Sequence, residues 1–136
     1  MSDAILAVSG VHTFIGRHHI LQGISFEARP DAVTVLLGRN GAGKSTTLKT
    51  IIGLLPSSKG SIVYQGEAIQ DRKPYEIARR GIGFVPEHMG IFAGLTVEEN
   101  IMAILQTLKM SRADRKRRME ELLQDLGIHH LAGSKA

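Results

Sequence analysis

The pattern of hydrophobic and polar positions divides the chain into strands followed by helices. Residues 4–14 (AILAVSGVHTF) and 20–28 (ILQGISFEA) roughly alternate apolar and polar positions, which predicts two antiparallel strands. Residues 33–37 (VTVLL) and 81–86 (GIGFVP) are apolar without alternation, which is typical of strands covered on both faces in a parallel sheet. Residues 61–69 predict a hairpin that turns at Gln65-Gly66.

Helix signals separate and follow these strands. A helix is predicted from about Lys44 to Leu55, ended by Pro56, and a short one over residues 73–80 with Pro74 near its start. Two longer helices follow in the last third of the chain. Thr96 with Glu99 forms a capping box, and Ser111 with Asp114 begins a helix that stops at Gly127. This order predicts an α/β fold that divides into residues 1–87 and a helical part, residues 88–136.

Composition and charge add limits to this picture. The chain has 136 residues, 43% of them hydrophobic, and it has no cysteine, so disulfides and thiolate metal sites are excluded. No apolar run approaches the roughly 20 residues of a membrane helix, and residues 1–14 lack the pattern of a secretory signal. We therefore expect no direct insertion into a membrane.

The net charge of +4 depends largely on one basic cluster, residues 111–120. We interpret this cluster as the solvated face of a helix whose buried side carries Leu122, Leu123 and Leu126, so we expect no nucleic-acid partner. The adjacent pairs His18-His19 and His129-His130 should point apart, and no carboxylate or cysteine framework surrounds them. We therefore expect no metal site at the histidines.

One motif carries chemistry. Gly38, Gly43, Lys44 and Ser45 match G-x-x-x-x-G-K-[ST], the P-loop, between a predicted strand and a predicted helix. Glycines let backbone N–H groups turn into one concavity that holds an anion, and the helix start adds partial positive charge. The lysine should reach the β- and γ-phosphates, and the serine hydroxyl should ligate Mg²⁺. The full set of predicted nucleotide-binding residues is Gly38, Arg39, Asn40, Gly41, Ala42, Gly43, Lys44, Ser45 and Thr46.

The flanking sequence narrows the family. Residues 21–69, from LQGISFEA through GRNGAGKST to GSIVYQGEAI, closely resemble the first half of an ABC transporter nucleotide-binding domain. Residues 79–101 (RRGIGFVPEHMGIFAGLTVEENI) resemble the region around the Q-loop of the same family. The combination VPE…IF…LTVEEN is most similar to the ATP-binding subunits of branched-chain amino-acid importers. The resemblance implies a P-loop NTPase core with an antiparallel β subdomain, an incomplete sheet and the start of a helical subdomain.

The resemblance also implies roles for further residues. Glu87 takes the position where the family usually has Gln, near Mg²⁺ and the attacking water, and an ionised carboxylate there cannot donate a hydrogen bond. Phe14 is the implied platform for the adenine ring, although alignment places Ile15 at the usual position. Residues on a strand alternate between faces, so this difference of one residue matters.

Partners and location are implied by the same resemblance. The cofactors would be ATP and Mg²⁺, with Ser45 and Glu87 as metal ligands. The loop from His88 to Leu95 would contact transmembrane permease subunits, and a second ATP-binding subunit would complete a dimer. The assembly would lie in the cytoplasm, peripheral on the inner face of the cell membrane, and would couple ATP hydrolysis to solute import.

Groups for hydrolysis are missing from the sequence. No run of four apolar residues precedes an Asp, and there is no LSGGQ-type signature, catalytic Glu or switch His. We therefore expect this chain to resemble the N-terminal half of an ATP-binding subunit, to bind nucleotide weakly and not to hydrolyse it. Two alternatives remain: a small P-loop kinase with its acceptor held by residues 112–118, and a non-catalytic nucleotide-binding module.

Overall fold

The computed structural model describes residues 3–38, 43–86 and 90–136. These residues form two compact units, one ending at Gly83 and one beginning at Phe84. Each unit has its own hydrophobic core, and each is described by itself below.

The first unit contains one antiparallel sheet of four strands. The strands are β1 (Leu6–Ile15), β2 (His18–Ala28), β3 (Lys59–Tyr64) and β4 (Glu67–Ala68), in the spatial order β2-β1-β3-β4. Their register places Val8 opposite Phe26 on one side and opposite Ile62 on the other. The predicted strands at residues 4–14 and 20–28 and the predicted hairpin are confirmed.

Two helices pack with this sheet: α1 (Lys44–Ile51) and α2 (Pro74–Arg79), whose proline occupies the first turn as predicted. The core consists of aliphatic side chains from the strands, the helices and the segment that follows β4: Val8, Val11, Leu21, Ile51, Ile62, Ile69 and Ile77. The helix α1 ends four residues earlier than the sequence predicted. It stops because Gly53 adopts φ 85°, so that the amides of Gly53 and Leu54 bond back to Thr50 and Lys49 and close the helix end.

Both predicted parallel-type strands are wrong. Residues 33–38 and 82–86 carry no strand assignment, and Val33 and Val85 are 91% and 92% exposed. A strand persists only where a neighbour takes up its backbone hydrogen bonds. Among the described residues the sheet comprises β1 to β4 alone, so these two apolar segments have no strand partner there.

The second unit is helical. It contains α3 (Val97–Leu105), α4 (Arg112–Asp125) and a 3₁₀ turn at His129–Leu131. Both predicted N-caps are confirmed: Thr96 and Glu99 form the capping box, and the Ser111 hydroxyl accepts from the Asp114 amide. Gly127 follows α4 with φ 69°, as expected for the predicted helix stop.

The core of this unit corrects one detail of the sequence analysis. Leu105, Met119 and Leu123 are buried, whereas Leu126 is 65% exposed and lies outside the predicted buried side of α4. Leu126 is the C-cap residue, where the helix ends and its side chain leaves the apolar face. Within the described ranges, no helix has the length and apolar character that a membrane crossing requires.

Candidate functional site

The start of α1 is built on a glycine that no other residue can replace without strain. Gly43 is the N-cap, with φ 95° and ψ 8°, a conformation that L side chains rarely adopt. A Cβ on Gly43 would lie 3.0 Å from Leu21 Cδ2 and 3.7 Å from Ile20 Cγ2. The glycine therefore allows both the turn into the helix and the close approach of that turn to β2.

Lys44 and Ser45 follow at the first positions of α1. The Lys44 ammonium donates to the carbonyl oxygen of Gly38 at 2.6 Å, so it bridges the first glycine of the motif and the helix start. Ser45 is exposed and Thr46 is half-buried. Arg39, Asn40, Gly41 and Ala42 lie outside the described residues, so their predicted contacts with phosphate stay predictions.

The electrostatics of this helix start favour an anion. The N-cap has no side chain to bond the amides of the first turn, and the first turn contains no acidic residue. These amides therefore stay available to a ligand, next to the ammonium of Lys44 and the positive end of the helix dipole. Chemically, the arrangement suits phosphate oxygens.

Threonine hydroxyls fasten α1 to the sheet. The hydroxyl groups of Thr13 on β1 and Thr50 on α1 are 3.1 Å apart and buried, and Thr50 also donates to the carbonyl of Thr46. Thr47 is buried too, and its hydroxyl donates to the Gly43 carbonyl at 2.7 Å. Sequence reasoning missed these residues. Their spacing of three on one helix was the available signal, because it puts both on the same face.

Phe14 lies on β1 in a row of rings. Its side chain stacks on His19, with ring centroids 4.3 Å apart and planes at 8°, and His12 Nδ1 is 2.9 Å from His19 Nε2. Thr13 reaches α1, so its neighbour Phe14 leaves the opposite face of the strand. Phe14 and Ile15 are equally exposed, at 46% each. The adenine-binding role of Phe14 stays a prediction.

The expectation that the histidines hold no metal ion stays a prediction. Among the described residues, no cluster of three or more His, Cys, Asp or Glu side chains is placed to hold a metal ion. Glu87 and His88 lie outside the described residues, so the predicted metal-ligand role of Glu87 is not placed by the geometry.

The end of the predicted docking loop lies in the second unit. Residues 90–95 precede α3, and Ile91 and Phe92 are 52% and 64% exposed. The side chain of Asn100 bonds both backbone groups of Phe92, accepting from its N–H at 2.7 Å and donating to its carbonyl at 3.0 Å. The loop therefore presents apolar side chains from a fixed backbone.

A groove of about 730 Å³ runs between α3 and α4. Its lining combines apolar side chains with acidic residues from α3 and basic residues from α4: Glu98, Glu99, Met102, Gln106, Arg112, Ala113, Arg115, Lys116 and Met119. Other charges of α4 pair within the helix, Arg117 with Asp114 and Arg118 with Glu121. The basic cluster is thus partly neutralised, and its remaining cations line this groove of mixed apolar and charged character.

Comparison with known proteins gives consistent matches. Residues 21–136 match the family described as ABC transporter. An uncharacterized ABC transporter ATP-binding protein of Rhizobium meliloti (strain 1021) is 36% identical over 134 residues, which are 98% of this chain and 50% of that protein. The lipopolysaccharide export system ATP-binding protein LptB of Acidithiobacillus ferridurans is 34% identical over 135 residues, 99% of this chain and 56% of that protein.

Solved structures match as well. The structure of an ATP-binding subunit of an ABC transporter is 30% identical, with a TM-score of 0.82, and the match covers 96% of this chain and 54% of that one. An ATP-binding cassette of an ABC transporter, 24% identical with a TM-score of 0.83, shares the fold. The expected P-loop NTPase core with an antiparallel β part, an unclosed sheet and a helical part is thereby confirmed. The chain spans about half the length of the relatives it matches.

Proposed function

The chain belongs to the ABC transporter family, and from this premise we propose that the start of α1 binds the triphosphate of MgATP. In this proposal residues 38–46 surround the phosphates, the Lys44 ammonium exchanges its bond to Gly38 for one to the γ-phosphate, and Ser45 ligates Mg²⁺. The bound nucleotide would supply the free energy that drives transport. The observation that carries the proposal is the uncapped, glycine-initiated helix start beside a lysine.

We further propose that this chain binds nucleotide weakly and does not hydrolyse it. Phosphoryl transfer to water needs a carboxylate that holds the metal and a group that orients the nucleophile. The sequence has no apolar strand ending in Asp and no signature motif. Glu87 is the remaining proposed metal ligand, and alone it does not replace these groups.

For the transported substrate we propose two alternatives, an amino acid that is imported and a lipopolysaccharide that is exported. The motifs VPE and LTVEEN resemble importers of branched-chain amino acids, which favours solute import. Several curated relatives are named for lipopolysaccharide export, including LptB of Acidithiobacillus ferridurans at 34% identity, which favours export instead. Transport assays with radiolabelled leucine and with a lipopolysaccharide probe, in vesicles that hold the assembled transporter, separate these outcomes.

The partners follow from the same premise. We propose that the loop from His88 to Leu95 contacts the permease, that the groove between α3 and α4 extends this contact, and that a second ATP-binding subunit completes the assembly. The exposed Ile91 and Phe92 support an apolar contact at the loop. The assembly would lie on the cytoplasmic side of the cell membrane.

Fluorescent nucleotide binding tests the phosphate site. We expect Lys44→Ala to weaken the binding of a fluorescent ATP analogue at least about tenfold, because it removes a cation from a site built for anions. Lys49→Ala is the matched control, since Lys49 lies on the same helix in its last turn. Equal affinity of Lys44→Ala and the unaltered chain would contradict the proposal.

Two assays separate the remaining alternatives. Release of inorganic phosphate at a rate typical of transport ATPases, from a preparation of verified mass, would refute binding without hydrolysis. Transfer of phosphate to a small-molecule acceptor, detected in a coupled assay, would support the kinase alternative. A chain that binds nucleotide and does neither agrees with the proposal.

A further inference from the structure

The side chain of Asn100 makes three hydrogen bonds that tie the loop at residues 90–95 to the start of α3. Its Oδ1 accepts from the N–H of Phe92 at 2.7 Å, and its Nδ2 donates to the carbonyl of Phe92 at 3.0 Å. The same Nδ2 donates to the carbonyl of Thr96 at 2.9 Å. One amide group therefore fixes both backbone groups of Phe92 and one of Thr96.

Only a primary amide of this length provides this set of bonds. The bonds need one acceptor and two N–H donors, and the Asn side chain carries one oxygen acceptor with an NH₂ group that donates twice. An ionised Asp has the same shape and accepts only, so it would set a negative charge against two carbonyl oxygens. The contact thus depends on chemistry as well as on shape.

The anchored end of the contact is rigid. Thr96 is the N-cap of α3, its hydroxyl accepts from the Glu99 amide, and the Glu99 carboxylate accepts from the Thr96 amide. The Thr96 carbonyl also accepts the α-helical bond from the Asn100 amide at 3.0 Å. Because this helix end is fixed by several bonds, Asn100 transmits its position to Phe92.

The loop at Ile91 and Phe92, whose backbone Asn100 holds, exposes apolar side chains. The backbone of Phe92 receives a further bond, from the Leu95 amide at 3.0 Å. Phe92 and Ile91 nevertheless leave more than half of their surface exposed. A loop whose backbone is already ordered loses less conformational entropy when its side chains enter a partner's pocket.

We propose that Asn100 is the positioning residue of the docking loop: it preorders the backbone at Phe92 so that Ile91 and Phe92 enter an apolar pocket on the membrane subunit. This inference rests on the docking role given to His88–Leu95 under the proposed function. It adds the residue that sets the geometry of the loop and the side chains that make the contact.

Hydrogen exchange of the whole 136-residue chain tests the positioning. We expect Asn100→Ala to raise the exchange rate of the Phe92 amide about tenfold, since a side-chain hydrogen bond of ordinary strength is lost. Exchange of the Leu105 and Leu123 amides, in the core of the same unit, should stay unchanged. Gln124→Ala, an exposed amide on α4, is the control. Unchanged exchange at Phe92 in Asn100→Ala overturns the proposal.

Asn100→Asp tests whether the hydrogen bonds of Asn100 matter in addition to its shape, because Asp has the same shape but different donors and acceptors. At neutral pH it should weaken the loop, because its carboxylate keeps an acceptor for the Phe92 N–H but cannot donate to the carbonyls of Phe92 and Thr96 and repels both of their oxygens. Protection of Phe92 should recover as the pH falls through the ordinary range of an aspartate, about 3.9, because the protonated acid regains a donor. Equal protection of Asn100→Asp and the unaltered chain at neutral pH overturns the dependence on the donor.

A binding assay with membrane subunits distinguishes the positioning role of Asn100 from the docking function of the loop. Detergent-solubilised transporter membrane subunits on beads should retain the unaltered chain, and Phe92→Ala and Asn100→Ala should each lower retention about tenfold. If Asn100→Ala loosens the Phe92 amide and retention is unchanged for both variants, the docking function fails and the positioning stands. If Phe92→Ala lowers retention and Asn100→Ala does not, the positioning role of Asn100 in docking fails.

Discussion

Thr13 and Thr50 place two hydroxyl groups 3.1 Å apart, both buried beside the apolar core of the first unit. Thr50→Val keeps the shape of the side chain but leaves the buried hydroxyl of Thr13 without this partner. We expect it to lower the free energy of unfolding by about 1–3 kcal/mol. Urea denaturation of the single and double variants measures this effect.

The double variant Thr13→Val/Thr50→Val supplies the control for this pair. It removes both hydroxyls, so no unpaired group remains, and its loss of stability should be smaller than the sum of the two single losses. Strict additivity would show that the two hydroxyls do not interact.

Glu99 should make the stability of the folded chain depend on pH. The backbone N–H of Thr96, and secondarily its side chain, bond the carboxylate and hold the pKa of Glu99 below its ordinary value of 4.5. Because the pKa of Glu99 is lower in the folded state than in the unfolded state, the carboxylate stabilises the fold at pH values above the unfolded-state pKa. This stabilisation is lost as the pH falls through the folded-state pKa. We expect Glu99→Gln to reduce the loss of thermal stability between about pH 5.5 and pH 3. An unchanged slope of melting temperature against pH would contradict this.

Residue-scale chemistry was predictable where it lies in consecutive positions. The motif residues Gly43, Lys44 and Ser45 are adjacent to one another, so their spacing was enough to predict a phosphate site. Thr50 and Asn100 act through contacts with Thr13 and Phe92, which are 37 and 8 residues away. The spacing of Thr47 and Thr50 marks one face of α1, but no local pattern identifies Thr13 or Phe92 as the partner, and the structure was needed to find these contacts.

Two helices end on glycines in the same way but in different surroundings. Gly53 and Gly127, after α1 and α4, both have positive φ, 85° and 69°. A Cβ on Gly53 would lie 2.9 Å from the carbonyl of Arg72 and 3.1 Å from Ile77 Cδ1, whereas a Cβ on Gly127 meets nothing within 4 Å. An alanine at Gly127 would therefore meet backbone strain alone, whereas an alanine at Gly53 would meet backbone strain and a steric clash.

Alanine substitutions measure this difference. Gly127→Ala should lower the free energy of unfolding by about 1 kcal/mol, the strain of a left-handed residue. Gly53→Ala should lower it by about 2–4 kcal/mol, since the backbone of residue 72 must also move. Denaturant titration of both variants gives the comparison, and equal losses would refute the steric contribution.

Element predictions succeeded where their signals were local. The caps at Thr96 and Ser111, the stop at Gly127 and the turn at Gln65-Gly66 each depend on a few neighbouring residues. Residues 33–37 failed as a strand for the opposite reason. Their apolar character is real, but a strand also depends on a distant partner for its hydrogen bonds.

At the scale of the whole molecule, exposed apolar surface should govern solution behaviour. Val33, Leu37 and Val85 are each about nine-tenths exposed, and unpaired apolar segments promote association between chains. We expect the chain to self-associate with rising concentration, and Val33→Lys/Val85→Lys to reduce this at least severalfold. Sedimentation velocity over a concentration series measures it. A strictly monomeric unaltered chain would contradict the expectation.

The starts of the three longer helices differ in what covers them. Thr96 and Glu99 close the start of α3, where the carbonyls of Ala132 and Ser134 also accept from the amides of Glu98 and Val97. Ser111 closes α4, and only α1, within the described residues of these three helices, begins without a side-chain cap. Of these three helices, α1 is therefore the one whose first-turn amides lack a side-chain cap and can bond an anion from solution. For these three helices, the caps of α3 and α4 therefore contribute to selectivity, because they leave the start of α1 as the place where an anion can be bound.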